Sequence, residues 1–317
     1  MRFTEKFSLP SHRQADYDFI NIRVDTDNLL FLDPTRFAVN DDIFSKECSK
    51  IVQDFFDTIF NLYVANKMSE ARKNFSSSGE SNEIFLGYTN GFPRGNGNSE
   101  ESLTNVFNYV HEKGLLTKKV VGRIEDFHIF VPDFGEDLLS DLVASLIKKK
   151  LIEFTQEQCE KYGIIMDKKV KMNYWNHTKH SWYSIETMLP QVDGYEVVLI
   201  PKNMAVSKFL YTPSNYWTQV ISGWRQKYHK ENDTKLHRDN VGRNGFVKKE
   251  TIRELEGNGM TEKEYLVEQT IKDISRIVSF RRNIENTQRG SNNNQLSDED
   301  LENYIIASYD KIPRSIS

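Results

Sequence analysis

Gly79-Glu80-Ser81-Asn82-Glu83-Ile84-Phe85-Leu86-Gly87-Tyr88 places two carboxylates beside a short apolar run. A loop follows at once, Thr89-Asn90-Gly91-Phe92-Pro93-Arg94-Gly95-Asn96-Gly97. On the N-terminal side, Ile43, Phe44, Cys48, Ile51, Val52, Phe55, Phe56, Ile59, Phe60 and Tyr63 recur at helical spacing. They predict a long helix capped by Asn40 or Asp41 and ending near Ser76–Gly79. On the C-terminal side, Asp137 starts a second long helical pattern with Leu138, Leu142, Ala144, Leu146, Leu151, Ile152 and Phe154. It runs to about Tyr162, where Gly163 stops it.

Between the stretch and the second helix, Ser99 caps a helix that reaches about Lys113. Val120-Val121 and Phe127–Val131 read as strand or buried connector. Upstream, residues 17–39 read as extended. Tyr17–Asp25 alternates apolar and polar, Leu29–Leu32 is continuously apolar, and Asp33-Pro34 reads as a turn. Downstream, Val170–Trp175 and Glu196–Ile200 read as strands. A helix is expected over Glu262–Ile284, an amide-rich linker near 283–294, and a last helix capped at Ser297. The expected class is α/β or α+β, a mixed sheet framed by two long helices, with a helical, basic C-terminal part. The expected division is a core of residues 1–205 and a helical region of 206–317, flexible near 286–297.

The 317 residues are 38% hydrophobic and 12% aromatic, enough for a sizeable core. No run approaches the ~18 apolar residues that span a bilayer, and Met1–Lys6 lacks a signal-peptide apolar core, so the expectation is cytoplasmic, away from membranes. The two cysteines, Cys48 and Cys159, lie far apart in helical patterns and read as small buried hydrophobes. Charge is uneven. Residues 1–147 hold 15 basic and 23 acidic side chains; residues 202–253 hold 11 basic and 4 acidic. Such a local excess attracts a phosphate backbone or an acidic partner, or else balances the acidic half as a solvated face.

The phosphate-loop, zincin, nucleophile-elbow and EF-hand motifs are missing from the sequence. Without a following Lys-Ser/Thr, the 91–97 glycines read as a connector, with Arg94 and the backbone amides as a small anion nest at most. Asp137 and Asp141, four apart, share a face of their helix; Asp137 suits capping ahead of a metal site, and Asp141 suits a metal site, a pair with Lys148 or Lys149, or a solvated position. Asp193 and Lys202 match the Asp and Lys of a metal nuclease motif in outline only, because Ile200 stands where the second acid belongs and Glu196 lies four residues further back. His177 and His180 suit surface hydrogen bonding or part of a metal site. Trp217, Trp224 and Tyr228 suit base stacking or an apolar helix face.

Four segments carry a resemblance: Asp27–Pro34, Glu80–Gly87, Asp137–Leu142 continuing through Leu151–Cys159, and Val198–Lys202. Over roughly residues 17–215 the chain resembles an uncharacterised set of bacterial proteins, similar to those encoded beside mobile-element and phage-defence genes. The resemblance marks Asp33, Glu80, Glu83, Asp141 and Lys202 as matching polar positions. Asp193 falls outside it, since similar sequences tend to carry an amide there.

Two readings follow. In the first, the chain is a metal-dependent nuclease-like effector of antiviral defence. Glu83, Asp141 and Lys202 form its catalytic core, and Glu80, Glu83 and Asp141 hold Mg²⁺ against a scissile phosphate. Residues 202–253 then hold nucleic acid through Arg225, Lys227, Lys230 and Lys235, together with Arg238, Arg243, Lys248 and Lys249. In the second, the chain is a non-catalytic subunit of the same system that docks on a partner ATPase or on DNA.

Overall fold

The computed structural model describes residues 1–79, 81–88, 100–290 and 294–310, with side chains described to residue 306. The fold is α+β, mostly helical, and its C-terminal part is helical. The described strands form three two-stranded antiparallel pairs. The chain divides into two compact units. One comprises residues 1–105, 135–209 and 291–317; the other comprises 106–134 and 210–290.

In the first unit, the helix Ile43–Val64 follows from its sequence. Cys48, Ile51, Val52, Phe55, Phe56, Ile59, Phe60 and Tyr63 are all buried along one stripe. Asp42, one residue beyond the expected caps, accepts from the Ser45 amide at 2.8 Å. The helix stops at Val64, short of the expected end. Asn66 turns the chain with φ +57°, and a separate short helix runs over Met68–Arg72.

Several expected strands take other forms. Ile20, Asn21, Ile22, Arg23 and Val24 are all buried, so the 20–24 stretch has no outer face. It runs extended but unladdered, through single contacts such as Ile20 N to Ile200 O at 2.9 Å. Asp33-Pro34 is a helix start rather than a turn: Asp33 caps Pro34–Val39 by accepting from Thr35 N at 2.9 Å, with proline in the first helical turn. Strand structure here is limited to Phe31–Leu32, paired with Ala205–Val206.

The second long helix is two helices, Glu136–Leu146 and Lys148–Tyr162, broken at Ile147, where the backbone leaves helical torsions (φ −88°, ψ 9°). Gly163 ends the second with φ +67°, as its position predicts. Lys168–Asn176 and Ser181–Leu189 form a nine-residue hairpin in register from Lys168↔Leu189 to Asn176↔Ser181. Glu196 pairs in a two-residue strand, while Val197–Ile200 runs extended and fully buried. Its amides go to scattered partners: Pro190 O, Glu83 O and the Thr155 hydroxyl.

In the second unit, Phe127–Val131 proves largely helical, within Asp126–Phe130. The buried Asp126 is its polar hub. It accepts from the amides of Gly122 and Arg123 at 2.7 and 2.9 Å, from the Tyr211 hydroxyl at 2.6 Å and from Arg281 at 2.8 Å. Phe130 and Phe280 both pack on Tyr216, and Phe280 also stacks on Tyr211. The expected helix over 262–284 is two, Glu262–Lys272 and Ser275–Arg289, the first opened by a capping box between Thr261 and Glu264. The second extends through residues whose composition reads as linker.

Candidate functional site

Gly79 and the 81–88 segment lie against one stripe of the helix Glu136–Leu146. Asp137, Asp141 and Ser145 are four apart and share that stripe. At one end the Ser145 hydroxyl donates to Gly79 O at 2.6 Å and lies 3.1 Å from the Ser81 hydroxyl. At the other end Gly87 meets Asp137. A side-chain carbon on Gly87 would fall 2.8 Å from Asp137 Oδ1 and 3.4 Å from Asp27 Oδ2, and φ is +134°. Glycine is required there on both counts. Asn28 locks the segment from its other side, donating to Phe85 O at 2.7 Å. Asp141 sits between the two ends on the same stripe, 6% exposed.

Glu83 is met by Lys148. The two form an ion pair with side chains 13% and 7% exposed, and Lys148 also donates to Ser81 Oγ at 2.9 Å. Burial works against the Lys148 charge and pulls its pKa down to about 7. The carboxylate and the hydroxyl are what hold that charge inside. Asp33, buried beside the Phe31–Leu32 strand, is raised to about 6, first by burial, with Glu136 adding to it. The hydroxyl of Ser140 accepts from Leu32 N at 3.0 Å, so the Glu136–Leu146 helix also pins that strand.

Lys202 stands in other company. Its ammonium is 2.7 Å from Asp298 and 3.4 Å from Gln14 O. Among the described residues it makes no hydrogen bond or ion pair with Glu83 or Asp141. Glu80, the third carboxylate expected to hold Mg²⁺, lies outside the described residues, as do the 91–97 glycines and Arg94. Among the described residues no group of three or more His, Cys, Asp or Glu is placed to hold a metal ion. Glu83, whose charge is already met by the Lys148 ammonium, is a poor ligand for Mg²⁺ as it stands. Asp193, also outside the resemblance, pairs with Lys6 at 2.7 Å. His180 pairs with Asp54 at 2.7 Å on the surface.

The basic segment sorts itself by packing. Arg225 is buried and ion-paired with Glu256, which also takes the Tyr265 hydroxyl at 2.6 Å and lies 3.0 Å from His229. It is therefore a core residue and not a phosphate contact. Lys249 is half-buried and donates to Thr218 O at 3.1 Å. Arg238 is exposed but paired with Asp233 at 3.2 Å. Lys227, Lys230, Lys235, Arg243 and Lys248 are exposed. Trp217 is buried and stacks edge-on against Tyr265, so it belongs to the apolar face.

Lys227 and Lys230 line a cleft of about 680 Å³ with Gly223, Gln226, Glu231, Asn244 and Phe246. One wall is the helix Ser222–Glu231. The other is the turn between Val241 and Val247, which bridge each other. Gly245, with φ +76°, lets the turn fold back, and Gln226 ties it to the helix by donating to Val247 O at 2.6 Å. The Lys230 ammonium lies 4.2 Å from the centre of the Phe246 ring.

The sequence did not single out Lys148, Ser81 and Ser145 as one network, or Phe246 and Asn244 as a cleft wall. Lys148 carried a usable signal: with Ala144, Ile152 and Thr155 it falls on the buried stripe, unlike its neighbours in the Lys148–Lys150 run. Phe246 carried none, because its place depends on how the 241–247 turn closes.

Among the described residues no helix is long and apolar enough to cross a membrane. No curated protein and no solved structure matches the chain. One family model does match, over residues 8–212, which takes in the whole 79–88 seam, Lys148 and Lys202. By that match the chain belongs to the family described as Domain of unknown function (DUF8370).

Proposed function

We propose that this chain is a non-catalytic, nucleic-acid-binding subunit, and that the strand is held in the second unit by the Lys227–Phe246 cleft. The observation that carries the reading is the pairing of two exposed lysines with an aromatic ring and two side-chain amides in one open groove. Lysines meet phosphates, an aromatic face stacks on a base, and Gln226 and Asn244 offer hydrogen bonds without demanding one base. Exposed Lys235, Arg243 and Lys248 on the same stretch extend the positive field beyond the groove.

The other observation behind the non-catalytic reading is that Glu83 is occupied by Lys148 and Lys202 by Asp298. The acidic seam then serves as a strut that fixes the 79–88 segment to the Glu136–Leu146 helix. Membership of a bacterial antiviral system rests on the sequence resemblance alone. A partner protein of that system is part of the proposal, with DNA favoured over an ATPase as the target of this groove.

Fluorescence anisotropy with labelled single-stranded and duplex DNA tests the reading. Binding should weaken steeply with salt and fall at least tenfold in Lys227→Ala/Lys230→Ala. Incubation of the same DNA with Mg²⁺ or Mn²⁺ should leave it uncut. Metal-dependent cleavage abolished by Glu83→Ala would overturn the non-catalytic assignment.

A further inference from the structure

A second cleft, in the first unit, has a different character. It encloses about 380 Å³, within the ~300–1,000 Å³ typical of small-molecule sites. Its walls come from the helices Ile43–Val64 and Lys148–Tyr162 and from the tip of the Lys168–Leu189 hairpin. Charge inside it is only partly balanced. Lys150 takes both acidic residues of the lining, Glu47 at 2.7 Å and Glu153 at 2.9 Å. Those contacts raise the Lys150 pKa and lower that of Glu47.

Three lysines thus face two glutamates in the lining, a surplus of one positive charge. Lys149 is only loosely engaged, 3.9 Å from Glu153. Lys50 makes no ion pair among the described residues. His177 and Thr178 stand at the hairpin tip, where Asn176 Oδ1 accepts from the amides of Thr178 and Lys179 at 3.1 and 3.2 Å. That turn holds the imidazole and the Thr178 backbone at the mouth of the cleft. The lining also holds the ring of Tyr174, whose centre lies 5.4 Å from the Lys149 ammonium, together with the buried Ile51 and Leu146. Trp175 fixes this wall, since it is buried and donates to Asp54 at 2.7 Å.

We propose that this cleft binds a nucleoside monophosphate. Its phosphate lies between Lys50, Lys149 and His177, and its base lies against Tyr174. A net positive lining with two ammonium groups outside the short Lys150 ion pairs suits a phosphate, and the Tyr174 ring suits a base. The volume admits one nucleotide and not a folded polymer. This site is independent of the DNA-binding groove and stands or falls without it.

Isothermal titration of the full chain with AMP and CMP, and with inorganic phosphate as the anion-only probe, decides the matter. The expected result is saturable nucleotide binding at least tenfold tighter than phosphate. It should weaken at least tenfold in Lys50→Ala/Lys149→Ala and stay unchanged in Lys227→Ala/Lys230→Ala. Tyr174→Ser should weaken nucleotide binding and leave phosphate binding as it was. Circular dichroism of each variant confirms that it folds. No saturable nucleotide binding, phosphate binding as tight as nucleotide, or affinity indifferent to the two lysines would overturn the proposal.

Discussion

The ammonium of Lys148 and the carboxylate of Glu83 form a buried ion pair that joins the start of the helix Lys148–Tyr162 to the 79–88 segment. A pair this enclosed is sensitive to the loss of one partner only. Lys148→Met leaves the Glu83 charge buried alone and is expected to cost on the order of 3–5 kcal/mol in urea unfolding. Lys148→Met/Glu83→Leu should recover much of that loss, because apolar groups of similar volume replace both charges. A double variant as unstable as the single would show that the pair itself is not the source of the effect.

In the second unit, burial and the neighbouring Asp126 raise Glu125 to about 7. The folded chain thus holds a proton on Glu125 between about 4.5 and 7, where the unfolded chain has released it. Its contribution is fully present below 4.5 and declines as pH rises through that window. Glu125→Gln should flatten this part of the stability–pH curve and make the protein more stable at pH 8, by up to about 3 kcal/mol. Unfolding midpoints in urea at pH 5 and pH 8 provide the check; parallel curves for the two proteins would refute it.

Lys202 pairs with Asp298 at 2.7 Å at a partly exposed site. Such pairs contribute about 0–1 kcal/mol. Lys202→Ala should therefore shift stability by less than about 1 kcal/mol and leave DNA affinity within twofold. A tenfold loss of affinity would return Lys202 to the binding machinery.

Arg225 and Lys230 lie five residues apart on one helix and should behave oppositely. Arg225→Ala removes one half of a buried pair with Glu256 and a stacking partner 4.8 Å from the Trp224 ring. It should lower stability by about 3 kcal/mol or more. Lys230→Ala should leave the melting temperature nearly unchanged and weaken DNA binding. Thermal melts beside anisotropy titrations separate the two effects.

What was legible in the sequence followed from local pattern. The apolar stripe from Cys48 to Tyr63 gave the long helix, and Gly163 gave the end of the one containing Leu151 and Cys159. Both cysteines are buried, as their surroundings suggested; burial pushes the Cys159 thiol up to about 12. Asp33-Pro34 misled because residues that stop a strand are also those that start a helix. Val197–Ile200 has the composition of a strand, but its backbone partners, Glu83 and Thr155, are set by tertiary packing. The candidate site was half visible for the same reason. Of the expected trio Glu83, Asp141 and Lys202, the cation that answers Glu83 is Lys148, and Lys202 is answered by Asp298. In the basic segment, composition reported the charge, but only the fold showed that Arg225 faces inward while Lys227 and Lys230 face a groove.

The central claim is that the groove between the helix Ser222–Glu231 and the 241–247 turn holds nucleic acid through Lys227 and Lys230. The salt dependence of DNA affinity measures it most directly, by anisotropy from low to moderate salt on wild type and on Lys227→Ala/Lys230→Ala. Each phosphate contact contributes about 0.7 to the log–log slope for a single strand and about 0.9 for duplex. The account predicts a slope shallower by roughly 1.5–2 in the double variant, with affinity reduced at least tenfold. Equal slopes and equal affinities for the two proteins would contradict it.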